Sequence, residues 1–386
     1  MSPAAELSRP AGGVPATVVA GFRMPAEWEP HRASWLVWPH NRADWEVKTS
    51  AIDWCYSEIV RHLVEGERVA ILFNDASTER RALARLTKAG LDLRQIERYR
   101  VPTNRSWIRD YGPLFVVQPS CESRPGEVAL TDWRFNGWAR YRSWQLDNAV
   151  PRKMARRLGL RRFEVTVAEN HSRRPIVLEG GSIDVNGEGL LLTTEECLLG
   201  SVQPRNPGVS RAALEKVFSD FLGVRRVLWL AAGIAGDDTH GHVDDVARFV
   251  SEDTVVVATE ADPTDANYDP LRENLARLAS TKDLRGRPLT IVPIPMPRPV
   301  YFEGDRLPAS YLNFYIANRR VLVPTFNDPT DRLALDRLVP LFPDREVVGI
   351  HAVELVLGLG TIHCVTQQEP SAGLDDSIER RSGSTC

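Results

Sequence analysis

An order of segments that recurs along the chain constrains its fold more than any one motif does. Each round has two strand-like stretches, a helix-like stretch and a buried strand, and residues 181–230 show it in full. GSIDVNG leads into a turn at Gly187 to Gly189, and LLLTTEE follows. SRAALEKVFSDFLG then carries apolar residues at helical spacing, and VRRVLWL ends the round as a continuous apolar run. From 243 the parts are VDDVARFVSEDTVVVATE, DPLRENLARLAST and LTIVPIP; from 311 they are YLNFYIANRRVLVPTFND, TDRLALDRLVPLF and REVVGIH. From 110 the strands DYGPLFVVQ and EVALTDWRF precede the basic stretch 146–159 and RFEVTVA. The two ends supply a fifth copy: the cysteine strand near the C-terminus, then SWLVWPH, the helical AIDWCYSEIVRHLVEG and RVAILFN. Five such units, spaced by roughly 60 to 75 residues, predict an α/β ring closed by pairing the last strand with the first unit. The structural rival is a single doubly wound sheet.

The 386 residues, 43% of them hydrophobic, are enough for a substantial core. A formal net charge of -3 offers no sequence-wide basic field, which argues against nucleic-acid binding and for a small-molecule partner. Cys55, Cys121, Cys197, Cys364 and Cys386 are scattered and never form a CxxC pair, so neither a disulfide framework nor a cysteine-based zinc site is expected. The first residues lack the basic start and apolar stretch of a signal peptide, and no run of about eighteen apolar residues occurs. These features predict a cytoplasmic protein without membrane contact. Residues 1–20, rich in Ala, Pro and Gly, and the polar tail 371–386 are expected to be disordered, flanking a single domain over 21–370.

The opening strand of each unit begins with chemically loaded residues: Arg109-Asp110, Glu179-Gly180-Gly181, His242-Val243-Asp244 and Gly360 to Cys364. Ring closure would make them meet. Taken singly, WIRDYGP reads equally well as a surface Arg-Asp pair, and LEGGSIDVNG as a bulged strand start whose glycines let backbone approach a ligand closely. GDDTHGHVDDVARF is richer, with two histidines and four aspartates between 237 and 245. A metal site would draw on His240, His242 and Asp244 but lacks a further ligand at its usual spacing. An acid-base pair needs only His242 and Asp244, two apart on a strand and projecting together. Cys364 favours the second reading, because a thiol becomes a nucleophile when a cation or histidine stabilises its thiolate. Gly358 and Gly360 are expected to permit loop motion, and Thr366, Gln367 and Gln368 are unusual residues for a core.

EWEPHRASWLVWP, WIRDYGP, DWRFNGW, EGGSIDVNG, THGHVDDVARF and IHCVTQQEP, in this order between about 22 and 370, resemble the agmatine deiminase and bacterial-type peptidyl-arginine deiminase family. The family belongs to the guanidino-group-modifying superfamily, and the resemblance implies its pentein fold, a pseudo-fivefold, five-bladed α/β propeller. It implies that Cys364 is the nucleophile, that His242 is the acid and base, and that Asp110 and Asp244 bind the guanidinium. Trp107, Asp238, Glu179 and Gly360 are expected around the substrate, with Asp238 reading its far end and Arg109 in support. The implied reaction turns agmatine into N-carbamoylputrescine and ammonia, toward putrescine and polyamines, with no cofactor and no metal.

Two departures bear on the substrate. The family usually has three glycines and Asn before Ile-His-Cys, whereas this chain has Gly-Leu-Gly-Thr, so Leu359 is expected to narrow the entrance or stiffen the loop. His240 stands where a smaller polar residue is expected. A peptidyl-arginine, free arginine or another guanidino compound is the alternative substrate. An amidinotransferase and a catalytically silent binding module are the alternative functions. The expected partner is a small cationic guanidino compound, with homo-oligomerisation left open.

Overall fold

The computed structural model describes residues 19, 21–45, 49–120, 125–169 and 172–371. Most of the two predicted tails therefore lies outside the described residues. The two tail residues that are described are tied down rather than loose: Val19 N–H donates to Asp220 O at 2.9 Å, and Ser371 N–H to Pro30 O at 2.8 Å.

Among the described residues, five sheets have three or more strands. Four share one plan, in which an antiparallel pair is followed by a helical crossover to a parallel third strand. Their strands are Leu114–Gln118, Glu127–Asp132 and Arg161–Glu164; Asp184–Val185, Leu190–Thr194 and Arg226–Leu230; Ala247–Phe249, Thr254–Thr259 and Thr290–Pro295; and Tyr315–Ile316, Arg320–Thr325 and Glu346–His351. The remaining sheet draws on both ends of the chain. Thr366–Pro370 pairs antiparallel with His31–Val37, Trp35 opposite Gln367, and His31–Val37 runs parallel to Arg68–Phe73 across the helix Thr49–Leu63. A second crossover, Ala76–Lys88, adds Ile96–Arg100 to this sheet, an extension the repeat did not announce. Separate sheets exclude the doubly wound alternative.

Local chemistry explains the elements. In Arg211–Leu222, Ser210 caps the start by accepting from Ala213 N–H, and Gly223 ends the helix at φ 70°, where a Cβ would be strained. Leu214, Val217, Phe218, Phe221 and Leu222 recur at helical spacing and are buried, each contributing roughly 1.5–3 kcal/mol. No helix among the described residues is long and apolar enough to cross a membrane.

The loaded residues do not sit on strands. Asp110 lies in the short helix Ile108–Tyr111, Gly181 in the 3-10 turn Gly180–Ser182, and Asp244 in the 3-10 turn Val243–Asp245. Cys364 lies in a turn just before Thr366–Pro370. Strand alternation is therefore not what aligns His242 with Asp244. A tight turn gathers neighbouring side chains and backbone N–H groups at one point, which an extended strand cannot do.

Candidate active site

Three side chains from two other units, Asp110 from one and His242 with Asp244 from another, converge on Gly181. A Cβ there would lie 2.7 Å from His242 Nδ1, 2.9 Å from Asp110 Oδ1 and 2.9 Å from Asp244 Oδ2, so only glycine leaves the space open. His242 Nδ1 is 3.7 Å from Asp110 Oδ1, and its Nε2 is 3.7 Å from Glu179 Oε2. Both ring nitrogens and Asp244 Oδ1 are buried with no hydrogen-bond partner among the described residues. Buried polar atoms ordinarily have partners, so Asp244 Oδ1 points to a ligand that donates N–H groups and the two ring nitrogens to a proton in transit. Asp237 builds the approach to His242: its carboxylate accepts from Thr239 N–H (2.8 Å), Gly241 N–H (2.8 Å) and His242 N–H (3.1 Å). His240 sits in the left-handed region at φ 64°, with Nε2 3.7 Å from Glu196 Oε1 rather than beside Asp244.

Cys364 joins this group from the C-terminal turn. Its Sγ is 3.9 Å from Asp244 Oδ2, and Arg109 N–H donates to its carbonyl at 3.2 Å. Asn313 Nδ2 donates to Sγ at 3.2 Å, while Asn313 Oδ1 accepts from Thr361 Oγ1 and His363 N–H. Gly358 and Gly360 serve close packing. A Cβ on Gly358 would come within 2.6 Å of Trp45 Nε1 and 2.7 Å of Trp107 Cζ2. One on Gly360 would come within 2.9 Å of Trp107 Cζ3 and 3.1 Å of Cys364 Sγ. The residue held in the left-handed region is Leu359, at φ 68°. The polar run after the cysteine is core: Gln367 Nε2 donates to Pro113 O, and Gln368 Oε1 accepts from Arg109 Nη1.

The two aspartates are shifted in opposite directions because their partners differ. Burial pushes Asp110 up to about 6, with Asp244 and Glu179 adding to the shift and His242 opposing it. Burial acts the same way on Asp244, but the His363 hydrogen bond and the charges of His242 and Arg248 hold that carboxyl below its usual range. Burial alone would pull the His242 imidazole down, yet Asp110, Cys197 and Glu179 outweigh it and hold the ring well above its ordinary value. Burial, then the negative charges of Asp244, Asp245 and Asp110, push the Cys364 thiol well up.

A pocket opens onto Cys364, Asp110, Trp107 and Gly360 and extends to Asp238 and Arg105. Trp138 links its two ends, donating to Asp110 Oδ2 at 2.9 Å and packing edge-on against Tyr141 at 5.7 Å. Tyr141 OH donates to Asp238 Oδ2 at 2.6 Å, and the Arg105 guanidinium lies 4.3 Å over the same ring while pairing with Asp44. Glu179 does not line this pocket; both its oxygens accept from Arg205 Nε at 3.2 Å, beneath His242. The described residues that bring metal-type ligand atoms within 4.8 Å of one another are Glu179, Cys197 and His242, not the trio of His240, His242 and Asp244. Asn313 and His363 had no assigned role in the sequence reading, nor had Trp138 and Glu27, although DWRFNGW and EWEPHR contain the latter pair.

The family described as Porphyromonas-type peptidyl-arginine deiminase matches residues 23–370. An agmatine deiminase of Pseudomonas aeruginosa is 35% identical over 374 residues, covering 91% of this chain and 96% of that one. One of Pseudomonas syringae is 34% identical over 374 residues, with the same shares covered. Among solved structures, the agmatine deiminase of Enterococcus faecalis superposes with a TM-score of 0.82 at 32% identity, covering 95% of this chain and 100% of that one. The agmatine deiminase of C. jejuni with substrate bound superposes at 0.78 with 27% identity, covering 91% and 96%. With the family match and these identities extending over nearly the whole length, the chain belongs to the Porphyromonas-type peptidyl-arginine deiminase and agmatine deiminase family.

Proposed function

We propose that the protein hydrolyses the guanidinium of agmatine to N-carbamoylputrescine and ammonia, through a covalent intermediate on Cys364. The observation that carries this reading is the convergence of His242, Asp110 and Asp244 on Gly181, with the Cys364 sulfur 3.9 Å from Asp244. We also read residues 21–370 as one domain, its five sheets forming a closed five-bladed propeller around this point.

A guanidinium stays cationic and needs carboxylates on more than one side to orient it. Asp110 and Asp244 supply them. The charges that hold the Cys364 thiol up are cancelled when a cation lies between those aspartates, so substrate itself lowers the barrier to thiolate formation and the thiol proton leaves to solvent. Thiolate attack forms a bond from sulfur to the guanidinium carbon. His242, held as imidazolium, donates its proton to one nitrogen; that C–N bond breaks and ammonia departs. The amidino-thioester left behind is attacked by water, which gives a proton to the now neutral His242. Collapse breaks the C–S bond and returns the thiolate, and the ureido product is released as its hydroxyl proton leaves to solvent. Asn313 Nδ2, 3.2 Å from the sulfur, supports the developing thiolate.

Asp238 at the far end fits a distal ammonium, and its bond from Tyr141 fixes its orientation. An arginine held in a peptide is the second reading, favoured by the family description itself. Ammonia release from agmatine, free arginine and an arginine-containing peptide, beside Cys364→Ala, separates these. Release from agmatine alone, lost in the variant, is the expected result; release from the peptide transfers the assignment, and silence across the panel refutes both.

A further inference from the structure

The mechanism leaves the histidine before the nucleophile unused. His363 is 2% exposed, and both ring nitrogens are engaged: Nδ1 lies 2.7 Å from Asp244 Oδ2 and Nε2 2.8 Å from Glu27 Oε2. Both contacts are hydrogen bonds only when each nitrogen carries a hydrogen. Glu27 is itself held in place. Its Oε1 accepts from Arg248 Nη2 at 2.9 Å and Ile316 N–H at 2.8 Å, and its Oε2 from Arg109 Nη2 at 3.3 Å. Arg248 is anchored in turn by the Asp184 carboxylate and the Phe314 carbonyl. On the other side, Asp244 Oδ1 is the buried oxygen without a partner. A carboxylate attached through one rotatable bond has no fixed plane until one of its oxygens is held, so the partner of Oδ2 decides where Oδ1 points.

We propose that His363 is a positioning residue: bracketed by Glu27, it holds Asp244 Oδ2, the oxygen 3.9 Å from the Cys364 sulfur, and so fixes the plane in which that carboxylate receives the substrate's guanidinium. The proposal rests on the deiminase reading of the same site. Glu27 of the N-terminal segment steadies the ring from its far side, a smaller contribution than the bond to Asp244 itself. Arg248 contributes by keeping Glu27 from rotating.

Two variants separate positioning from mere support, because asparagine places its amide nitrogen where Nδ1 stands and glutamine places its own nearer Nε2. His363→Asn therefore keeps the donor to Asp244 and gives up Glu27, whereas His363→Gln does the reverse. Both remove a buried ring, so similar falls in Tm are expected. In ammonia release, His363→Asn should stay within about fivefold of wild type, and His363→Gln should lose about 10- to 100-fold, the size of one hydrogen bond to a charged group. A second readout does not depend on the substrate: the rate of Cys364 alkylation by chloroacetamidine, a small cation, relative to chloroacetamide, its neutral counterpart. Wild type and His363→Asn should favour the cation, and His363→Gln should lose about tenfold of that preference. Equal losses in the two variants, or an undiminished cation preference in His363→Gln, would overturn the proposal. If wild type favours the amidine yet releases no ammonia from agmatine, the agmatine reading falls and the alkylation ratio still decides on His363. If wild type shows no preference for the amidine, the positioning proposal falls outright.

Discussion

Asp110 and Asp244 face the same space with opposite titration behaviour, and the difference comes from what each is bonded to. Asp110 accepts from the neutral donors Trp138 Nε1 and Gly181 N–H, which do not offset its burial, whereas Asp244 accepts from His363 and lies near Arg248. As pH falls through about 6, Asp110 takes up a proton and its attraction for a guanidinium is lost, while Asp244 keeps its charge. KM for agmatine should therefore rise on the acid side, about tenfold per unit well below that point, with little change between pH 7 and 8 as read to roughly a factor of two. A KM that stays flat down to about pH 5 would remove Asp110 from cation binding. Asp244→Asn should cost at least about 100-fold in kcat/KM, since both the guanidinium contact and the His363 bond are weakened. Steady-state rates beside a Tm measurement separate this loss from unfolding. The identity of these aspartates was legible in WIRDYGP and THGHVDDVARF, but the opposite direction of their shifts was not. It depends on the burial of Asp110 and on His363, which lies 119 positions away from the Asp244 it touches.

Short turns, rather than the strands they precede, carry the chemistry. The turn Gly180–Ser182 places Gly181 against His242 and both aspartates, which is why a pair of glycines follows Glu179. Gly181→Ala should abolish measurable turnover while changing Tm by only a few degrees, because its Cβ would displace His242, Asp110 and Asp244 without requiring a left-handed backbone. An active alanine variant would show that those groups do not meet where the substrate sits. In the loop before Cys364, the glycines are there for contact with Trp45 and Trp107, and Leu359 takes the left-handed conformation at a cost of about 1–2 kcal/mol. Sequence reasoning took those glycines for hinges. The composition of the loop was plain, but the indoles that occupy the space around it come from Trp45 and Trp107, distant in the chain.

Closure of the chain on itself ties Cys364 to the rest of the molecule. Cys364 lies two residues before Thr366–Pro370, the strand that pairs with His31–Val37, so the position of the sulfur depends on that pairing. Glu369 fastens it: its Oε2 accepts from Trp35 Nε1 at 2.7 Å and from Arg32 Nη2 at 2.6 Å. Glu369→Ala leaves a fully buried indole N–H without its partner and should cost roughly 1–3 kcal/mol, seen as a lower Tm, together with reduced turnover. Unchanged Tm would show that the pairing is held elsewhere.

The order of two strands, a helix and a strand is a local property, set by apolar periodicity and turn residues, and it was readable from residues such as Gly187, Ser210 and Gly223. So were Cys364, His242, Asp110 and Asp244, because reactive residue types crowd into short stretches that a solvated surface does not require. What tertiary structure alone decided is how those stretches face one another. Asn313 reached the sulfur and Glu27 reached His363, each from a different part of the chain. Arg205 likewise took up Glu179, which the sequence had placed beside the substrate. Such contacts join residues far apart in the chain, and neither periodicity nor spacing encodes which buried donor will find which buried acceptor.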